Sequence, residues 1–168
     1  LSTRIVYHIG GGDNGGSVGE RVMRTVGSVV IGCDIEDVFR LTNDHVAEWS
    51  QHVIEDEVIE EKPGGVGTTF RSATEDHGRR MDLLGTITRH DPPTASAVHL
   101  VGEMFDLDVE YALEDLGDGS TKVTQRSHAA GKGWLNWCVR LCGWTRGWSS
   151  RTALDVELQS LMALCERS

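Results

Sequence analysis

The sequence lacks the features that mark several specialised protein classes. Its 168 residues include only three prolines and four cysteines, and no two cysteines form a CxxC pair. No run approaches the ~20 consecutive apolar residues that a membrane-spanning helix needs, and the N-terminus shows no basic-then-apolar signal pattern. These absences exclude collagen-like, disordered and transmembrane classes, and they predict a cytoplasmic protein with reduced cysteines.

Positive charge is also scarce. The chain has 16 Lys and Arg residues against 26 Asp and Glu, a formal net charge of -10. Residues 34–61 alone carry ten acids and one base, Arg40. Because such a surface repels phosphate groups, the sequence predicts no nucleic-acid partner and no membrane insertion. We interpret the acidic run as a solvated face, with docking of a basic protein as the alternative.

Motifs for metal, nucleotide or nucleophilic chemistry are missing as well. The seven histidines show no HxH or HExxH spacing, and the chain has no Walker loop and no GxSxG. The sequence therefore predicts no metal and no cofactor. A β-like run followed by glycines between Gly10 and Gly19 is typical of a dinucleotide-binding turn, but no βαβ unit follows it. We expect residues 1–22 to be a flexible Gly-rich extension and residues 23–168 to form one domain.

Hydrophobic periodicity indicates the secondary structure of that domain. A helix is expected after the N-cap residue Asp34, and a second short helix near Asp44–Ser50. A long helix is predicted over Trp134–Glu166, which contains no proline. The segments with strand character are Arg21–Cys33, Val53–Glu61, Gly67–Glu75, Arg80–Arg89, Ala95–Val101, Phe105–Glu114 and Thr121–Ala129. This order predicts an α+β fold in which a curved antiparallel meander grips a C-terminal helix.

The motifs IGCDIEDVFRLTND, GGVGTTF, GTITRHDPP and EYALEDLGDGSTKVT, in this order, resemble the START-like superfamily. More specifically, they resemble its polyketide cyclase/dehydrase group. In that group a first strand ends at a small residue, often proline, and an acidic helix start then leads to Val-Phe or Val-Trp. Residues 33–39 fill these places here, with Asp34 where proline is common. The resemblance covers roughly residues 23–166.

The resemblance implies a helix-grip (START/Bet v 1-like) fold: a seven-stranded antiparallel sheet wrapped around a long C-terminal helix, with two short helices after the first strand. It also implies a cavity between sheet and helix that takes sterols, lipids, polyketides or aromatic compounds. The candidate ligand-binding residues are Phe70, Met81, Leu83, His99, Phe105, Leu107, Tyr111, Gln125, Trp134, Trp137 and Leu141.

Polar groups inside an apolar wall are the candidates for chemistry. Phe105–Glu114 alternates almost perfectly, so Tyr111 is expected on the same face as Leu107, where its hydroxyl could bond a ligand carbonyl. His99, flanked by Val98 and Leu100, is the best histidine candidate for a general base or a ligand-orienting group. His128 is expected to face outward. For each of these residues a structural role is the alternative.

Three function hypotheses follow. The first is a module that binds a small hydrophobic ligand, aromatic, polyketide-like or lipid-like. The second is a cyclase/aromatase-type enzyme in which His99 or Tyr111 moves protons. The third is a protein-interaction module, with a homodimer as one form of it, that uses the acidic face or the four tryptophans from Trp134 to Trp148.

Overall fold

A seven-stranded antiparallel sheet and three helices make up the part of the chain that the structure, a computed structural model, describes: residues 22–76, 79–132 and 151–167. In chain order they are β1 (Val22–Ile31), α1 (Ile35–Asp44), α2 (Val46–Trp49), β2 (Val53–Glu60), β3 (Thr69–Asp76), β4 (Arg79–Asp91), β5 (Ala95–Val101), β6 (Phe105–Asp115), β7 (Thr121–Gly131) and α3 (Arg151–Cys165). The predicted α+β element order is confirmed.

The strand order in the sheet is β1-β7-β6-β5-β4-β3-β2, and every neighbouring pair is antiparallel. Strands β2 to β7 follow one another as a meander, and β1 pairs with β7, so that Val29 lies opposite Val123. The two edge strands are therefore β1 and β2. Helices α1 and α2 connect these edges, which places them over one face of the sheet.

The packed core lies at one end of that face. Val38 of α1, Leu158 and Leu161 of α3 and Val123 of β7 are fully buried there. The helix α3 lies directly on β1, because a Cβ atom at Gly27 would be 2.7 Å from Leu154 Cδ2. Each buried aliphatic side chain contributes about 1.5–3 kcal/mol through removal from water. This end of the molecule holds the helix and the sheet together.

The described part of the predicted C-terminal helix runs from Arg151 to Cys165. Residues 133–150 lie outside the described residues, and so do residues 1–21. The predictions for Trp134, Trp137, Leu141 and the other tryptophans of that segment consequently stay predictions. The same holds for the Gly-rich extension. No helix in the described ranges is long and apolar enough to cross a membrane.

Candidate functional site

A cavity of about 1540 Å³ occupies the inner face of the sheet beyond the packed core. All seven strands, helices α1 and α2 and the start of α3 supply its described walls. The cavity brings together seven of the residues predicted from the sequence to bind ligand: Phe70, Met81, Leu83, Phe105, Leu107, Tyr111 and Gln125.

Strand alternation explains why β6 and β7 contribute as predicted. Phe105, Leu107, Val109 and Tyr111 all line the cavity, and Leu113 continues the same face into the packed core. The predicted inward set of β7, which is Gln125, Ser127 and Ala129, lines it too. Successive side chains of a strand point to opposite faces, so the acids between the β6 residues face outward, as do Arg126 and His128 of β7.

His99 does not line the cavity, contrary to the expectation from the sequence. It pairs across the sheet with Asp108, and its Nδ1 lies 2.7 Å from Asp108 Oδ1 in an exposed hydrogen bond. Directly opposed residues of neighbouring strands project to the same side of a sheet. Because alternation puts Asp108 outside, His99 is outside as well, and Val98 and Leu100 face inward. His128 also lies opposite Asp108 and shares that outer face, as expected.

The histidine that does face the cavity from the central sheet is His90, which sequence reasoning missed. A register irregularity between Ile87 and Arg89 inserts a bulge into β4. An extra residue in one strand reverses the side-chain alternation beyond it, so Ile87 and His90 both line the cavity although they are three residues apart. The His90 ring also contacts Phe39, with ring centroids 5.6 Å apart. The sequence carries no local signal for this bulge.

Four polar side chains form a row across the apolar wall. His90 is the cross-strand partner of Ser96, Ser96 of Tyr111, and Tyr111 of Gln125. We call these four residues the polar row. The Cβ atoms of such partners lie about 5 Å apart, so the row spans four adjacent strands at one level. It lies next to the packed core, which is the inner end of the cavity.

Two oxygen atoms of the polar row are buried without a hydrogen-bond partner among the described residues: Ser96 Oγ and Gln125 Oε1. Ser96 is only 3% exposed. The other end of the Gln125 amide, Nε2, donates to Ser127 Oγ at 3.4 Å. A buried polar group without a partner costs about 1–3 kcal/mol, and such groups in native structures call for an explanation.

Tyr111 is fixed by an aromatic neighbour. The ring of Trp49 meets that of Tyr111 edge to face, at a centroid distance of 6.4 Å. Trp49 is buried, and its Nε1 donates to Leu41 O at 3.1 Å. Burial, with a smaller effect from the Glu157 carboxylate, raises the pKa of Tyr111 above its usual range. The phenol therefore stays protonated and can donate a hydrogen bond.

Glu157 links α3 to the connection between α2 and β2 at the edge of the cavity. It lines the cavity, and its Oε1 accepts hydrogen bonds from Ser50 Oγ at 3.1 Å and Gln51 N at 2.9 Å. The Nε2 atom of His52 is 3.9 Å from the same oxygen. These contacts position the half-buried carboxylate and attach the helix to the acidic edge of the sheet.

The charged lining away from the row is acidic. The described wall contains one lysine, Lys62, and seven carboxylates: Asp44, Glu48, Asp56, Glu57, Glu61, Glu75 and Glu157. Most of the acids belong to β2 and to the segment around α2. No three His, Cys, Asp or Glu side chains of the described ranges are grouped so that they could hold a metal ion. The cavity thus combines an apolar wall, a neutral polar row and an acidic edge.

Comparison with known proteins identifies the fold. No protein-family model and no curated protein matches the chain. A START superfamily protein from Mycobacterium smegmatis is similar to it with 15% identity and a TM-score of 0.67, over 86% of this chain and 97% of that one. The Zhui aromatase/cyclase from a Streptomyces species has 12% identity and a TM-score of 0.68, over 88% and 95%. Ara h 8.0201 has 15% identity and a TM-score of 0.64, over 88% and 100%.

The sheet topology, the helix that packs on it and these neighbours define a helix-grip fold. The same fold occurs in the START superfamily structure and in the aromatase/cyclase structure. The resemblance predicted from the sequence is confirmed at the level of the fold. Identities of 12–15% carry no information on ligand or reaction.

Proposed function

We propose that the protein binds a small hydrophobic ligand, aromatic, polyketide-like or lipid-like, in the cavity between the sheet and α3. The observation that carries this proposal is the cavity itself. Protein interiors are close-packed and leave few voids larger than a water molecule, whereas this cavity measures about 1540 Å³. Ligand sites are concave and mostly apolar, with a few placed polar groups.

The apolar wall offers the main binding energy for such a ligand. Leu107, Val109, Leu100 and Ala129 form adjoining rows of the inner face, and the Phe70 ring lies over Gly85. Removal of apolar ligand surface from water yields about 25 cal/mol per Å². A flat polycyclic compound can contact several of these rows at once.

A pair of neighbouring alanines provides a test. Ala129 lines the cavity, whereas the side chain of Ala130 points to the other face of the sheet. A panel of polycyclic aromatic, sterol and fatty-acid probes is screened by thermal unfolding. We expect at least one probe to raise the melting temperature of the native protein.

Ala129→Phe should abolish that rise because the larger side chain takes ligand space, while Ala130→Phe should retain it. Silence of the native protein across the whole panel, or equal responses of the two variants, would contradict the proposal.

An aromatase/cyclase-type activity is a second candidate. It is favoured by the placement of an imidazole and a phenol, His90 and Tyr111, on either side of Ser96 in one cavity. Such a pair could exchange protons with a bound carbonyl compound. If the protein turns over a polyketide-like substrate, both His90→Ala and Tyr111→Phe should reduce kcat at least tenfold. Unchanged kcat in the two variants would remove these residues from any mechanism.

A further inference from the structure

We infer that the ligand carries a hydroxyl or equivalent hydrogen-bond donor and enters with this group first, so that the group meets the polar row at the inner end of the cavity. This inference rests on the proposed function and specifies both the chemical class of the ligand and its orientation. A plain hydrocarbon, or a lipid whose polar group stays at the opening, does not satisfy it.

The unpartnered oxygen atoms define the chemistry. Gln125 Oε1 can only accept a hydrogen bond, so its missing partner must be a donor. Ser96 Oγ can accept or donate, and it is buried in the same way. The neutral phenol of Tyr111 lies between these two residues in the register and offers a donor. A hydroxyl group, which both donates and accepts, matches all three.

The position of the polar row defines the orientation. Along β6, Leu113 belongs to the packed core, Tyr111 to the polar row, and Val109, Leu107 and Phe105 to the cavity wall beyond it. On β7 the same order runs from Val123 to Gln125, and Gln125 is the partner of Gly27, over which α3 lies. On the side of the polar row away from the cavity, the described inward-facing residues of these two strands therefore belong to the packed core.

The length of the apolar wall sets how long the ligand can be. At about 3.4 Å per residue, the strand extends roughly 20 Å from Tyr111 to Phe105. The side chains of that stretch on the cavity face are apolar. A ring system with a hydroxyl at one end would place the hydroxyl at the polar row and its rings along Val109 and Leu107.

Three matched fluorescent probes test this inference: 1-hydroxypyrene, 1-methoxypyrene and pyrene, titrated at a mildly acidic pH where the hydroxyl is protonated. The native protein should bind 1-hydroxypyrene about tenfold more tightly than 1-methoxypyrene, because a methoxy oxygen cannot donate to Gln125 Oε1. Gln125→Leu should reduce that ratio to below about threefold. Ser96→Ala is a smaller change and should reduce the affinity ratio as well. It provides the test if Gln125→Leu does not fold.

Arg126→Leu is the matched control, because Arg126 is the adjacent residue of β7, is exposed and faces the other side of the sheet. It should keep the native ratio. Equal affinity of the native protein for all three probes would overturn the inference and leave the proposed function standing. A native ratio that survives in both Ser96→Ala and Gln125→Leu would overturn it too. Failure of all three probes to bind would overturn the inference, and the proposed function falls with it if the sterol and fatty-acid probes are silent in thermal unfolding as well.

Discussion

Replacement of Ser96 by alanine should stabilise the unliganded protein. Ser96 is 3% exposed and its Oγ has no hydrogen-bond partner among the described residues. Burial of a hydroxyl group without a partner costs about 1–3 kcal/mol. We take the lower end of this range because Ser96 borders the cavity, which gives a gain of about 1 kcal/mol in the free energy of unfolding.

Thr121→Val is the matched comparison of opposite sign. Thr121 is fully buried, but its Oγ1 donates to Cys33 O at 2.8 Å. Valine has a similar shape and leaves that carbonyl oxygen without this donor, so the free energy of unfolding should fall by about 1–3 kcal/mol.

Urea unfolding with linear extrapolation measures both changes. In thermal unfolding, the gain in Ser96→Ala corresponds to a rise of about 2–4 °C in the melting temperature. If Ser96→Ala is destabilised as much as Thr121→Val, the Ser96 hydroxyl already has a partner in the unliganded protein and offers no free hydrogen-bonding group to a ligand.

Four further predictions concern packing, charge and pH. Gly27→Ala should lower the free energy of unfolding, measured in urea, by about 1–3 kcal/mol, because its Cβ would lie 2.7 Å from Leu154 Cδ2. The Cβ of Gly85→Ala would overlap the Phe70 ring beside the cavity, so this variant should mainly weaken the affinity for pyrene, measured by fluorescence titration. With its acidic lining, the cavity should bind 1-pyrenemethylamine more tightly than 1-pyrenebutyrate at low salt, and the difference should shrink as salt is added; equal affinities would argue against an electrostatic effect. Burial of the thiol, with a smaller effect from the nearby Cys33, raises the pKa of Cys165 from 9.0 to about 11. The folded state therefore holds this proton more tightly than the unfolded state, and stability should decline more steeply between about pH 9 and 11 in the native protein than in Cys165→Ala.

The part of the site that could be predicted from the sequence depends on uninterrupted alternation. On β6 the apolar residues and the acids alternate almost perfectly from Phe105 to Glu114. Once one apolar residue is assigned to the inner face, Leu107 and Tyr111 are assigned to that face as well. On β7 the buried Val123 fixed the face of Gln125 in the same way. In both strands a burial preference repeated at every second residue determines the side-chain direction.

Prediction failed where the direction depends on a partner strand. The local pattern of Val98, His99 and Leu100 suits either face, and only the register with Asp108 on β6 turns His99 outward. His90 was missed because a bulge in β4 reverses the alternation before it. Register and bulges follow from tertiary packing, which a single sequence does not display.

The polar row illustrates why functional residues escape such reasoning. Ser96, Tyr111 and Gln125 belong to three different strands, and no motif joins them. Each of them alone has an ordinary structural interpretation. Only their alignment at one level of the sheet, with two unpartnered oxygen atoms, indicates a binding site. Sites of this kind reduce the stability of the empty protein in exchange for ligand recognition.

A homodimer and a cytoplasmic location stay predictions of the sequence.

The most direct test of ligand binding is native mass spectrometry of the protein purified gently from its own host, followed by denaturation to identify any released compound. We predict one equivalent of a hydrophobic cyclic compound with a hydroxyl or similar donor group. It should be retained by Ala130→Phe and missing from Ala129→Phe. A native protein that carries no compound, or a compound that Ala129→Phe retains equally, would contradict the account.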